Sequence, residues 1–297
     1  MHTQTRATLY GLAAVLLWST VATAFKLSLR HLDYAQLLFY ANLTSLLVLA
    51  AILSAQGKWP QVFAGSAADY RRSLLLGVLN PFLYYLVLFK AYDLLPAQIA
   101  QPINYTWALT LALLSIPLLK QRIGARDLLA GVICYAGVVV ISTRGDVLGF
   151  RLADPLGVGL ALGSTVIWAL YWIYNTRDSR DPVVGLFLSF AFGLPFVTIY
   201  CATFSQIILP TGPALFGAVY VGTVEMGITF VLWLNALKLS SNTAKVGNLI
   251  FISPFLSLVF IHFLLGETIL PATFVGLVLI VGGLVYQQLK PAGRQVG

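Results

Sequence analysis

Charged side chains are scarce in this chain. Asp, Glu, Lys and Arg make up 9% of its 297 residues, against about 25% in soluble domains, which excludes a large water-soluble core. Histidine is scarcer still, with 3 in the chain. His2, His31 and His262 lie at a terminus, between apolar runs and near the end of one, too scattered to hold a metal. The 2 cysteines, Cys134 and Cys201, each sit inside an apolar run and read as small core residues, not as a disulfide or metal pair. No H-E-x-x-H, G-x-S-x-G or Walker loop occurs, so zinc-protease, nucleophile-elbow and ATP-hydrolysis chemistry have no support. No enzyme activity, cofactor or metal is expected.

The formal net charge of +8 at first suggests nucleic acid. The basic residues, however, stand in short segments between apolar runs, the arrangement that sets topology in membrane proteins. The expected partners are the lipid bilayer and a small-molecule substrate, with no nucleic acid.

What the chain has in abundance is apolar length: 59% hydrophobic residues and a mean hydropathy of +0.87. Runs of about twenty apolar residues, each able to cross about 30 Å of hydrocarbon, occupy residues 7–28, 34–55, 72–92, 96–119, 125–143, 155–175, 182–204, 213–236, 242–265 and 271–289. Short clusters such as QGKWP, RDSRDP and LPTGP separate them as turns. The first run follows a short, weakly basic N-terminus, has no A-x-A cleavage signal and is expected to be a retained helix. The fold class is therefore all-α integral membrane, with ten transmembrane helices.

The chain also resembles itself. Shifted by 145 positions, Leu74–Lys90 falls on Val219–Asn235. Gly77 meets Gly222, Asn80 meets Glu225, and without a gap Ala91 meets Ala236 and Gly131 meets Gly276. At an offset of 150, Trp18 in the first run meets Trp168 in the sixth. The linker from Arg144 to Asp154 divides two five-helix repeats, 1–145 and 154–291. With the N-terminus in the cytoplasm, 13 of the 18 Lys and Arg fall on cytoplasmic segments, so both termini are expected inside. Five runs per half then thread the second half the opposite way. The basic turn KQRIGAR after the fourth run becomes LGETILP after the ninth, as a change of side would require. Inverted repeats related by an in-plane pseudo-two-fold axis are a carrier architecture.

Several residues could carry chemistry. Glu225 is the only acid deep within a run. An ionisable side chain there costs about 2.5–3.5 kcal/mol on insertion scales and marks function by default. It would suit proton exchange or contact with a cationic substrate group, and the plain alternative is a protonated Glu bonding a neighbouring helix. Asn80 precedes Pro81, and proline breaks a helical bond near mid-membrane. Tyr84 lies one turn from Asn80 on the same face. In the fourth run Pro102 again loosens the helix, with Asn104 and Trp107 on one face and Gln101 and Tyr105 on the next. Trp18, Trp107, Trp168 and Trp172 lie within runs rather than at the interfacial belt, so a shared aromatic cavity is expected, suited to flat, apolar or cationic groups. Lys26, Lys90 and Lys245 stand near run ends and either snorkel or meet a substrate carboxylate. Gly159 and Gly163 are spaced for close helix packing, and Gly131, Gly137, Gly276, Gly282 and Gly283 are expected to pack the fifth and tenth runs.

The pattern as a whole resembles the EamA-type drug/metabolite transporter superfamily. The resemblance runs from Gly11 to Gln287 and rests on GLAAVLLWSTVATAFK, PINYTWALTLALLSIPLL and NLIFISPFLSLVFIHFLLGE with the following GLVLIVGGLVY. The first repeat departs from the superfamily pattern in carrying KQR where many members have an acid. INYTW, Ile103–Trp107, is similar to a stretch in the superfamily's aromatic amino-acid exporters. The resemblance implies a central cavity lined from the first, fourth and sixth spans, onto which Trp18, Asn104, Tyr105, Trp107 and Trp168 map. It also implies alternating access.

The expected function is export of small metabolites, an amino acid foremost, from a cell inner membrane by secondary-active or facilitative transport, as a monomer or homodimer. The alternatives are a proton-coupled multidrug exporter, in which Glu225 exchanges proton for drug, and a channel or non-transporting membrane protein.

Overall fold

The computed structural model describes residues 3–120, 124–149, 152–175, 178–240 and 248–288. Arg122, Arg151, Arg177, Lys245, Lys290 and Arg294, which enter the charge pattern, lie outside the described residues. The described chain is helical, with no strand among the described residues. In order come α1 (Thr3–Ser28), α2 (Tyr34–Ala55), α3 (Ala67–Leu94), α4 in two pieces (Ala97–Tyr105 and Trp107–Leu119), α5 (Ala125–Ser142), α6 (Pro155–Asn175), α7 (Pro182–Phe204), α8 (Gly212–Leu237), α9 (Leu249–Leu265) and α10 (Pro271–Gln288). A single turn, Trp59–Phe63, lies between α2 and α3. Seven of the helices are long and apolar enough to cross a membrane; α9 and α10 are shorter apolar helices, and α4 is interrupted.

Polar residues outside the apolar runs set the helix starts. Asp33 caps α2 by accepting from the amides of Ala35 and Gln36 at 2.8 and 2.9 Å, and Asp181 caps α7 through Val183 at 3.0 Å. Each satisfies backbone donors that have no partner within the helix. Leu47, Ile199, Phe216 and Phe263 are strongly exposed, which suits a lipid solvent.

The repeat is visible in the packing. Gly77 of α3 lies against the Ser189 carbonyl and Gly193 of α7; a Cβ there would sit 2.8 Å from the Gly193 nitrogen. Its repeat mate Gly222 of α8 lies against the Ala41 carbonyl and Thr44 of α2, where a Cβ would sit 2.6 Å from the Thr44 Cβ. The third helix of each half thus crosses the second helix of the other, as a pseudo-two-fold axis requires. Helices α5 and α10 pair in the same way. Gly137 abuts the Gly276 carbonyl, and Gly283 abuts Cys134, whose thiol donates to the Ile280 carbonyl at 3.3 Å.

The other glycines do not all follow expectation. Gly159, Gly163 and Gly282 have nothing within 4 Å of a Cβ, and Gly131 has only ordinary contact with Leu109. The sequence spacing of Gly159 and Gly163 therefore serves no tight crossing; Gly157, beneath Leu94 and Leu95, fills that role in α6.

At the end of the bundle where α1 begins, ion pairs join the halves. Lys58 reaches Asp181 at 2.7 Å, and Asp178 is held by Arg180 at 2.5 Å and faces Arg72 at 3.9 Å. Burial pushes the Asp178 carboxyl up, but the Arg180 hydrogen bonds and charge outweigh it, leaving it below the usual carboxylate range.

Candidate functional site

Two helices are distorted at mid-span, at equivalent places. Val78–Leu83 in α3 and Val221–Ile228 in α8 are both π-turns, which widen the helix and recur at functional sites. The first contains Asn80, with extended backbone (φ −145°, ψ 114°) and a cis bond to Pro81. The second contains its repeat mate Glu225. In α4 the break comes at Thr106, between the two helical pieces, and not at Pro102, which stays inside Ala97–Tyr105. The Thr106 hydroxyl donates to the Ile103 carbonyl at 2.7 Å and serves the backbone where the helix restarts.

A cavity of about 600 Å³ lies among α1, α3, α4, α6, α8 and α9. Nine of the residues singled out above line it: Trp18, Tyr84, Gln101, Asn104, Tyr105, Trp107, Trp168, Trp172 and Glu225. Asn80 does not. It is fully buried, neighbours the Tyr171 hydroxyl, and makes no well-formed hydrogen bond. The kink sets Tyr84 on the cavity wall and turns Asn80 away from it.

Aromatic rings build the wall. Tyr84 stacks on Trp168 with centroids 4.3 Å apart, and Trp107 stacks on Trp172 at 6.4 Å. Trp18 meets Phe230 edge-on at 6.0 Å and Trp233 at 5.3 Å, and Phe230 in turn meets Trp168 edge-on at 5.7 Å. Phe230 and Trp233 were missed in the sequence. At offset 145 Trp233 matches Leu88 and Leu237 matches Tyr92, and all four line the cavity, so the repeat relation extends to the wall.

Polar groups are few and mostly engaged with one another. Tyr84 donates to Asn104 at 3.4 Å, and the Asn104 amide donates to Ser164 at 2.9 Å. Glu225 accepts from the Tyr85 hydroxyl at 3.0 Å, with the Trp18 indole as neighbour. Its second oxygen, the Gln101 carbonyl oxygen and the Trp172 indole N–H have no hydrogen-bond partner in the protein. Buried polar atoms are usually paired, and these three lie without a partner just behind the cavity wall.

The two ends of the cavity differ. Toward the end of α1 that carries Ser28, Phe25 packs on Phe89 and Tyr92 at 4.7 and 5.2 Å. Beside it the Lys26 ammonium donates to the carbonyls of Tyr92 and Leu95 at 2.7 and 3.0 Å. Lys26 therefore caps the end of α3 with two of its three donors and is not part of the cavity lining. Glu267, at the end of α9, accepts from the amides of Ala97 and Gln98 at 2.9 and 3.2 Å, placing an anion at the start of α4, where the helix dipole favours one. Gln98 adds bonds to Thr268, Leu270 and Thr273 at 2.9, 3.0 and 3.0 Å. These contacts bolt α1, α3, α4, α9 and α10 together. Lys90 pairs with Asp93 at 2.8 Å and lies over the Tyr34 ring, away from the cavity. At the opposite end Tyr10, Val15, Trp233, Ala236 and Ile250 gather α1, α8 and α9 into one group. The second piece of α4 packs on α6, and the cavity extends between the two groups past Leu111 and Leu237.

Comparison with known proteins agrees with this architecture. The profile of the EamA-like transporter family matches residues 5–143 and 155–286. The chain is 26% identical over 261 residues to a protein of Ancylobacter novellus named aromatic amino acid exporter YddG, covering 84% of this chain and 86% of that one. It is 26% identical over 227 residues to the uncharacterized transporter YvbV of Bacillus subtilis, covering 75% and 73%. A crystal structure of another protein superposes with a TM-score of 0.67 at 25% identity, covering 95% of this chain and 96% of that one.

Proposed function

The chain belongs to the EamA-like transporter family, and on that premise we propose that it exports small amphipathic metabolites bearing an amino group by alternating access around the aromatic cavity. Amino acids, the class anticipated from the sequence and named for the Ancylobacter novellus relative, fall within this description. The observation that carries the reading is one cavity, about 600 Å³, enclosed by helices of both repeats and walled by tryptophans around a single carboxylate. Its size lies in the range of small-molecule sites. Discontinuous helices from two inverted halves meeting at one midplane site are the structural basis of alternating access.

The chain would sit in the cell inner membrane with both termini cytoplasmic, as the Lys and Arg bias favours. The bolted end then faces outward, and the cavity faces the cytoplasm from which an exported metabolite is drawn. Either a monomer or a homodimer is compatible with a cavity complete within one chain.

A second reading has its own support. Glu225 is buried, shares one oxygen with Tyr85 and leaves the other unpaired, which suits a group that exchanges a proton for a cationic drug. Uptake of radiolabelled metabolites and drugs into proteoliposomes, with and without an imposed pH gradient, tests both. Transport that ignores the gradient and survives Glu225→Gln removes the proton-coupled reading. Transport of every substrate found that is unchanged by Trp107→Ala and Trp168→Ala removes the cavity as the site.

A further inference from the structure

The charge balance of the cavity narrows the substrate class, granted that the cavity is the transport site. Its wall holds one acid, Glu225, and among the described lining residues no Lys, Arg or His. Lys26 lies outside the lining, and two of its three N–H donors are held by the Tyr92 and Leu95 carbonyls. The Asn104 amide gives one of its two N–H groups to Ser164. What remains for an anion on the described lining are neutral donors such as the Gln101 and Asn104 amides. A carboxylate moved into such an apolar site without a cation is strongly disfavoured. An ammonium, by contrast, finds on the lining the carboxylate of Glu225 and the rings of Trp18 and Trp168, combining charge-assisted attraction with cation–π attraction.

We infer that the cavity selects aromatic or apolar amines that carry no carboxylate, so that an amine is preferred over the amino acid with the same side chain. The Tyr84–Trp168 and Trp107–Trp172 stacks hold the flat body while Glu225 neutralises the amine. An amino acid would bring its amine to the same place but leave its carboxylate without a cation among the described lining residues.

Four indoles that differ only in charge test this: tryptamine (cation), tryptophan (zwitterion), indole-3-propionate (anion) and N-acetyltryptamine (neutral). Binding to the purified full-length protein and counterflow into proteoliposomes are measured for each. Tryptamine is expected to bind at least tenfold more tightly than tryptophan, equivalent to about 1.4 kcal/mol, with indole-3-propionate weakest. Glu225→Gln should abolish the tryptamine preference, with the folding of the variant read independently from its monodispersity and thermal unfolding in detergent. Should Glu225→Gln fail to fold, the wild-type order of the four ligands still decides. Tryptophan binding as tightly as tryptamine overturns the inference and leaves the carrier reading intact. If none of the four binds or moves, both fall.

Discussion

The bolt at the Ser28 end of α1 should be breakable by one substitution. Lys26 makes two hydrogen bonds to carbonyls at the end of α3, at 2.7 and 3.0 Å. Hydrogen bonds from a charged group contribute about 1.5–3 kcal/mol each. Lys26 is only half-buried, and solvent screening reduces such terms, so about 2 kcal/mol for the pair is a fair figure. Methionine keeps the aliphatic stem and its packing but removes both bonds. If the closed and open forms of this end are in equilibrium, Lys26→Met shifts their ratio by about 30-fold toward open. The assay is the labelling rate of Leu88→Cys, on the cavity wall, by a membrane-impermeant thiol reagent applied from outside. The buried Cys134 and Cys201 are first replaced by alanine. Labelling should accelerate by about that factor in Lys26→Met, while labelling from the cytoplasmic side slows. An unchanged outside rate in a protein that still binds substrate would refute the bolt.

Two further outcomes follow from the packing and the ion pairs. Gly77→Ala and Gly222→Ala should each lower stability in detergent by about 1–3 kcal/mol, the cost of overpacking, because each methyl would press on a backbone that cannot rotate away. Gly159→Ala should be neutral or stabilising by up to about 1 kcal/mol, and the reverse order in a thermal-unfolding series would undo the assigned crossings. The folded-state pKa of Asp178 is depressed, so its contribution to stability is present above the unfolded carboxylate range and is lost as pH falls through the folded value. Asp178→Asn should therefore destabilise the protein at pH 7, by a margin that begins to shrink as pH falls below about 4 and vanishes only below the folded value. A destabilisation that stayed constant with pH would mean that the Arg180 pairing is not its source.

Much of this architecture was legible in the sequence. The ten apolar runs fall within a few residues of the helices, apart from the start of the ninth, which lies outside the described residues. The fixed offset that paired Asn80 with Glu225 paired two distorted helices. What the runs could not reveal was direction. A helix apolar on every side has no polar face to orient it, so the depth of Asn80 was readable but its rotation away from the cavity was not. The same limit made Gly159 and Gly163 look like packing residues, although Gly157 is the one beneath its neighbour. Lys26 and Glu267 were visible as charges near run ends. Their partners are backbone groups at the ends of other helices, and no sequence pattern reports such contacts. Trp233 matches Leu88 across the repeat, but nothing in an all-apolar helix marked Leu88 as a cavity position either.

Counterflow tests the central claim most directly. Proteoliposomes are loaded with unlabelled tryptamine and placed in a trace of the labelled amine with no other gradient. A carrier that exposes one cavity alternately to each side predicts transient accumulation of label above equilibrium, lost in Glu225→Gln and reduced in Trp168→Ala. Label that merely equilibrates, at a rate indifferent to the unlabelled amine inside, would contradict alternating access around this site.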